Sequence, residues 1–357
     1  MKGLPVLNNG ARVDVGAGAD LGSDVGADVG ADVGADVGVV FDAELGPAPP
    51  WAHQPTVEWQ VVGQCNYDCS YCIQSKKHRV GIPTDAALRG AIAFFARLPT
   101  EAGPWEIKTT GGEPFSFRGF LDVVVNGLMD ETPHRMSTLT NLSAPPATLR
   151  RFAARTRGRL SVVSSSLHLE HTEVSAFLQR LDVLRDAVDD DVRIVVNCVL
   201  VPDRLAAVAA AQAAVVARGF RFFPQLMKVK GGVFAYSPAQ MQQVRAIVGD
   251  LDDAVKTRSA NLAPAYTGQR CFAGARYLVV TKEGDAWSCR TAKRHGEGYL
   301  GRVFGAEDGD SVGDSVRLHP GARACPYTIC PCTTPANRGM IEGVPARLGH
   351  RSHDEDD

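Results

Sequence analysis

An α/β fold, a parallel sheet covered by helices, is predicted for residues 56–226 of this 357-residue chain by two observations. Runs rich in β-branched and apolar residues alternate with longer helix-patterned runs, and each interval leaves room for a crossover helix. Six such β/α units argue for a parallel sheet, and right-handed crossovers curl it into a barrel or part of one. Thr56–Val62 reads as the first strand, and after a cysteine-rich loop Thr84–Arg97 reads as a helix. Trp105–Thr109, Arg135–Thr140, Leu160–Ser166, Val192–Val201 and Phe220–Leu226 read as the further strands. Between them Phe120–Met129, Pro146–Thr156, Glu173–Ala187 and Leu205–Arg218 read as helices, with Pro146 early in its helix, where it is tolerated.

The chain is longer than one ordinary domain of about 100–150 residues needs. Its 38 basic and 40 acidic residues give a formal net charge of −2, which excludes a generally cationic nucleic-acid coat and a polybasic membrane binder. No apolar run reaches the roughly 18–20 residues of a membrane span; Leu205–Ala217 is the longest approach and is bracketed by Arg204 and Arg218. The N-terminus lacks the basic-then-apolar pattern of a signal peptide. A cytoplasmic protein without nucleic-acid or membrane partners is expected.

Val-Gly-Ala-Asp repeats in strict tetrads from Asp24 to Gly38, a period that fits neither a strand nor a helical stripe. With eight acidic and two basic residues up to Thr56, the segment reads as a disordered acidic arm. The expected organisation is an arm over 1–55, a core over 56–250, a small cysteine-rich α+β domain over 251–345 and an acidic tail over 346–357.

Nine cysteines are an odd number for a disulfide framework, and their clustering points to metal or redox chemistry. Cys65, Cys69 and Cys72 follow the first strand. Three thiolates this close can hold three irons of a [4Fe–4S] cube and leave the fourth iron open. A closed zinc site that recruits His78 is the alternative on this stretch alone. The second strand ends in Thr109-Thr110-Gly111-Gly112-Glu113-Pro114. Glycines there allow close backbone approach, and a glutamate can accept from an ammonium group. In a barrel, strand C-termini form the active face, where the first cysteine loop also opens.

The Cys-x3-Cys-x2-Cys loop, with Tyr71 just before its last cysteine, and the following Gly-Gly-Glu-Pro resemble the radical S-adenosylmethionine superfamily. The resemblance covers about Thr56 to Leu226. It implies a (β/α)6 partial TIM barrel and a [4Fe–4S] cluster on Cys65, Cys69 and Cys72. S-adenosylmethionine would chelate the open iron and yield a 5′-deoxyadenosyl radical that abstracts hydrogen from substrate. Further implied contacts are Tyr71 against the adenine, Gly111, Gly112 and Glu113 at the methionine amino group, Ser166 at the ribose, and Asn197 as a polar cofactor contact. His168 and His171 either face the substrate or cap the next helix, and capping is the favoured reading; Cys198 reads as a plain buried thiol.

Cys271-x12-Gly284-x4-Cys289, flanking the strand pair Tyr277–Thr281 and Asp285–Ser288, resembles the opening of the SPASM and Twitch auxiliary-cluster extensions. Cys325, Cys330 and Cys332 follow. Five cysteines complete one cube and cannot fill two, so the resemblance implies one auxiliary [4Fe–4S] cluster on four of them; a zinc knuckle is the alternative. The implied partners are a reductant such as a flavodoxin or ferredoxin and a substrate peptide or small molecule, with a separate leader-binding protein in the peptide case. The expected reaction is modification of a peptide or protein residue, or oxidation of a small natural-product intermediate. The competing class is a non-catalytic iron–sulfur or zinc-binding redox sensor.

Overall fold

The computed structural model describes residues 52–74, 76, 79–229, 232–249, 266–305, 315–328, 330, 334–344 and 346. The predicted arm and tail and Cys332 therefore lie outside the described residues, apart from Ala52–Pro55 and Ala346.

Six parallel strands run in chain order, β1 (Thr56–Val62), β2 (Glu106–Gly111), β3 (Arg135–Thr140), β4 (Leu160–Leu167), β5 (Arg193–Leu200) and β6 (Arg221–Leu226). The helices between them are α1 (Asp85–Ala96), α2 (Asn126–Glu131), α3 (Pro146–Thr156), α4 (Val174–Arg185) and α5 (Leu205–Ala217). The helix expected from Phe120 is present, but its first stretch, Phe120–Val125, is wound as a π-helix before α2 begins.

The predicted pair after Cys271 is β7 (Tyr277–Val280) and β8 (Asp285–Trp287), joined by a turn in which Gly284 takes φ +92° and its N–H donates to Thr281 O. These strands do not form a sheet of their own. β7 lies parallel to β1, with Val57 opposite Leu278, and β9 (Tyr299–Arg302) follows β8. One sheet thus reads β9-β8-β7-β1-β2-β3-β4-β5-β6. A helix outside the expectation, α6 (Pro238–Val248), begins at a capping box in which Ser237 and Gln240 bond reciprocally. A short helix, α7 (Arg290–His295), follows β8.

Strand periodicity decides what each face does. In β1, Val57, Trp59 and Val61 are buried in the core, and Trp59 meets Phe95 of α1 edge-on at 5.1 Å. α1 starts where Thr84 Oγ1 accepts the Ala87 N–H, and it buries Leu88, Ala91, Ile92 and Phe95. The intervening residues Glu58, Gln60 and Val62 line an internal cavity.

Candidate functional site

The cysteine loop leaves β1 at the C-terminal end of the sheet. Cys69 is buried, and Cys65 and Cys72 are half-buried. Burial pushes the Cys69 thiol up to about 11, and the neighbouring Cys65 and Cys72 thiolates push the same way. Charge crowding of this kind is what bound cations relieve.

The segment after β4 grips this loop. Tyr71 Oη lies 2.8 Å from His168 Nδ1 with the two rings stacked, and Cys69 Sγ is 3.4 Å from the same nitrogen. Ser70 donates its N–H and hydroxyl to the Glu170 carboxylate, Tyr67 stacks on His171, and its hydroxyl bonds Thr172 at 2.7 Å. Burial, with His171 alongside, lowers His168 to about 4, so its ring is neutral at pH 7. The expectation that these histidines cap the next helix is corrected: α4 starts at Val174 with Glu173 in the cap position, and both rings pack on the cysteine loop. The signal was legible as His168-Leu-Glu-His-Thr172 at a strand's C-terminal end. Cys69, Glu170 and His171 also place one ligand atom each within 4.8 Å of the others.

Gly111 and Gly112 are dictated by their approach to the chain itself. A Cβ at Gly111, whose φ is +140°, would lie 2.2 Å from Val62 O, and one at Gly112 would lie 1.9 Å from Gln64 O. Instead the Gly112 N–H donates to Val62 O and the Glu113 N–H to Gln64 O, fastening the end of β2 to the root of the cysteine loop. Glu113 is buried. Its carboxylate accepts from Phe115 N–H, Thr140 Oγ1 and Asn141 N–H. Burial raises it to about 7, only partly offset by those three donors. These bonds make Glu113 a strut between the ends of β2 and β3.

A cavity of about 1120 Å³ runs along the inner face of the sheet and is lined by Tyr71, Cys72, Gly111, Ser166 and Asn197, five of the residues singled out in the sequence. Asn197 donates to Ser164 Oγ at 2.5 Å and accepts from Gln225 at 3.2 Å, forming a polar row across β4, β5 and β6. Cys198, on the opposite face, is buried with its thiol pushed up to about 12 by burial, as expected of an inert thiol.

The chain matches no family profile. Over 70 residues it is 36% identical to the S-adenosylmethionine-dependent nucleotide dehydratase of Danio rerio, a match that covers 20% of this chain and 18% of that protein. The likeness to that S-adenosylmethionine-dependent enzyme is thus confined to a short stretch of each chain. Among solved structures it is similar to anSMEcpe with bound AdoMet and peptide (16% identity, 70% of this chain and 77% of that one, TM-score 0.47). It is also similar to Streptococcus suis SuiB bound to S-adenosylmethionine (13% identity, 67% and 61%, TM-score 0.46).

Beyond β1–β6, Cys271, Cys289, Cys325 and Cys330 sit on the C-terminal strands and turns. Cys271 pairs with Arg323, two residues before Cys325, and the Cys325 N–H donates to Gln269 O. Cys271 and Cys330 pack against Tyr266, Ala336 and Ile341. Cys289 caps α7, its sulfur accepting the Ala292 N–H. Burial and its hydrogen bond to Glu297 raise the Tyr327 phenol, and Cys289 and Cys325 both add to that shift, which brings these two thiols to one neighbourhood. No helix among the described residues is long and apolar enough to cross a membrane.

Proposed function

We propose that this chain reductively cleaves S-adenosylmethionine at a [4Fe–4S] cluster held by Cys65, Cys69 and Cys72, and that it abstracts hydrogen from a substrate in the cavity below. The observation that carries the reading is the cysteine loop opening onto the cavity that Tyr71, Cys72, Gly111, Ser166 and Asn197 line together. The donor set fits the cluster: three thiols on one loop, two half-buried and one buried, with Cys65 and Cys72 both disfavouring ionisation of Cys69 and Cys72 disfavouring that of Cys65. Bound there, the cluster would supply the electron that breaks the sulfonium bond to C5′, the source of a 5′-deoxyadenosyl radical.

The protein's own residues do the positioning. Tyr71, fixed by stacking on His168, offers a flat face to the adenine. Ser166 and Asn197 offer a hydroxyl and an amide to the ribose side. Gly111 and Gly112 keep the backbone close to the methionine end, and Glu113 holds that segment rigid from beneath. Cys271, Cys289 and two of Cys325, Cys330 and Cys332 would hold one auxiliary [4Fe–4S] cluster, with a flavodoxin or ferredoxin as reductant. The reaction is modification of a peptide or protein residue, or oxidation of a small natural-product intermediate.

A single-ion sensor built on Cys69, Glu170 and His171 is the competing reading. It leaves Cys65 and Cys72 without a role, and Glu170 already accepts two hydrogen bonds from Ser70. Anaerobic reconstitution with iron and sulfide, followed by dithionite and S-adenosylmethionine, separates the two. The enzyme forms 5′-deoxyadenosine; a sensor forms none.

A further inference from the structure

The thiols of the cysteine loop do not receive the same hydrogen bonds. Cys65 Sγ accepts the Tyr67 backbone N–H at 3.4 Å, a donor that no side-chain change removes. Cys69 Sγ meets side chains instead. His168 Nδ1 stands 3.4 Å from it and 2.8 Å from Tyr71 Oη, and the Tyr71 hydroxyl hydrogen-bonds the same sulfur.

Proton accounting decides their roles. A cysteine bound to iron is a thiolate and only accepts. A bare Nδ1 would turn its lone pair toward that sulfur, whereas a protonated Nδ1 donates to it. The thiolate therefore selects the tautomer with the proton on Nδ1. That N–H cannot accept from Tyr71, whose own O–H is then left to the sulfur as well. The ring is kept in place by its neighbours: Tyr67 stacks on His171 and bonds Thr172, and Ser70 donates twice to Glu170. Glu170 works the other way on the sulfur, since its negative charge opposes ionisation of Cys69.

We infer that His168 is a positioning residue for the metal centre: through its Nδ1–H and the Tyr71 hydroxyl it keeps hydrogen-bond donors on Cys69 Sγ and so stabilises the reduced cluster. Reduction adds negative charge that the sulfurs share, and donors aimed at a sulfur favour the state carrying more of it. This inference rests on the [4Fe–4S] assignment proposed above and names a residue that sets the potential of that cluster.

Redox titration of the reconstituted full chain, followed by electron paramagnetic resonance, tests it. The signal of the N-terminal cluster is the part that disappears when Cys65, Cys69 and Cys72 are replaced together by alanine. His168→Phe keeps a flat ring against Tyr71 without a donor, and should move that midpoint potential to more negative values. His168→Asn, whose amide nitrogen lies as many bonds from Cα as Nδ1 does, should restore most of the shift. Glu170→Gln should move the potential in the opposite direction. Tyr67→Phe loosens the same grip without removing a donor from Cys69, and should leave the potential at the parent value. Thermal melts and iron content report folding and loading. Should His168→Phe hold no iron, Tyr71→Phe, which removes the hydroxyl donor alone, should make the same negative shift. An unchanged potential in the donor-free variant, equal shifts in His168→Phe and His168→Asn, or one common shift that includes Tyr67→Phe would overturn the inference. A signal that survives the triple cysteine replacement removes the cluster assignment, whereas a cluster whose potential ignores His168 removes this inference alone.

Discussion

Strands β1–β6 and strands β7–β9 occupy one sheet by different routes. In the first set each strand lies beside its neighbour in the chain, and the helix between them covers the outer face. In the second set β7 reaches the sheet from the far end of the chain, beside β1, and buried polar contacts tie the region down. Tyr277 donates to Glu58 at 2.9 Å, Arg290 pairs with the same carboxylate, and Arg338 pairs with Glu106. Both regions bury apolar side chains in one core, Leu278, Val280, Ala286 and Leu300 among them in the second. The second adds buried charge pairs along the cavity wall to that packing.

The comparison breaks most visibly through the two cysteine sets. Replacing Cys65, Cys69 and Cys72 with alanine should abolish 5′-deoxyadenosine formation, read chromatographically under dithionite, while the C-terminal cluster keeps its iron. Removing Cys271 and Cys289 should do the reverse to the metal count, taking it from about eight irons to about four and leaving cofactor cleavage intact.

Next in size is the Glu106–Arg338 pair. Burial alone would raise Glu106, but the Arg338 charge and hydrogen bonds from Arg338, Ser137 and Ser161 hold it at about 2. Arg338→Met leaves a buried carboxylate without its cation and should cost about 3–5 kcal/mol in urea unfolding. The pH dependence has a definite sign. A depressed carboxyl contributes fully above its ordinary 4.5, and that contribution is lost as pH falls toward about 2. The Arg338→Met variant should lose less stability across that window than the parent; equal slopes would mean the pair does not anchor the C-terminal strands.

Smaller effects sharpen the account of the cysteine loop. Gly112→Ala forces a methyl against Gln64 O and should cost about 1–3 kcal/mol, with iron lost selectively from the N-terminal cluster. Tyr67→Phe removes the bond to Thr172 but keeps the stack on His171, and should cost about 1 kcal/mol with both clusters retained.

The parallel core was legible because each of its elements carries its own signal: alternation in Thr56–Val62, the Thr84 cap, and the glycine pair ending β2. The pairing of β7 with β1 was not, since nothing local in Tyr277–Val280 specifies a partner so far back in the chain. α6 carried a readable mark, Ser237-Pro-Ala-Gln240, that the search for alternating units passes over. At the site, residue types and spacing pointed to the cysteine loop and the cavity rim, but the partners of Glu113 are not written in its own motif. Its neighbours in space, Thr140 and Asn141, come from another strand end and engage the carboxylate from there.

The central claim is that one loop of three thiols turns S-adenosylmethionine into a hydrogen-abstracting species while a second cysteine set holds another cluster. The most direct measurement is iron, zinc and sulfide content of the anaerobically reconstituted full chain, taken alongside 5′-deoxyadenosine yield from the same sample. The account predicts about eight irons per chain, no stoichiometric zinc, and dithionite-dependent 5′-deoxyadenosine. Stoichiometric zinc with iron near four would contradict the auxiliary site, and full iron loading without any 5′-deoxyadenosine would contradict the claim itself.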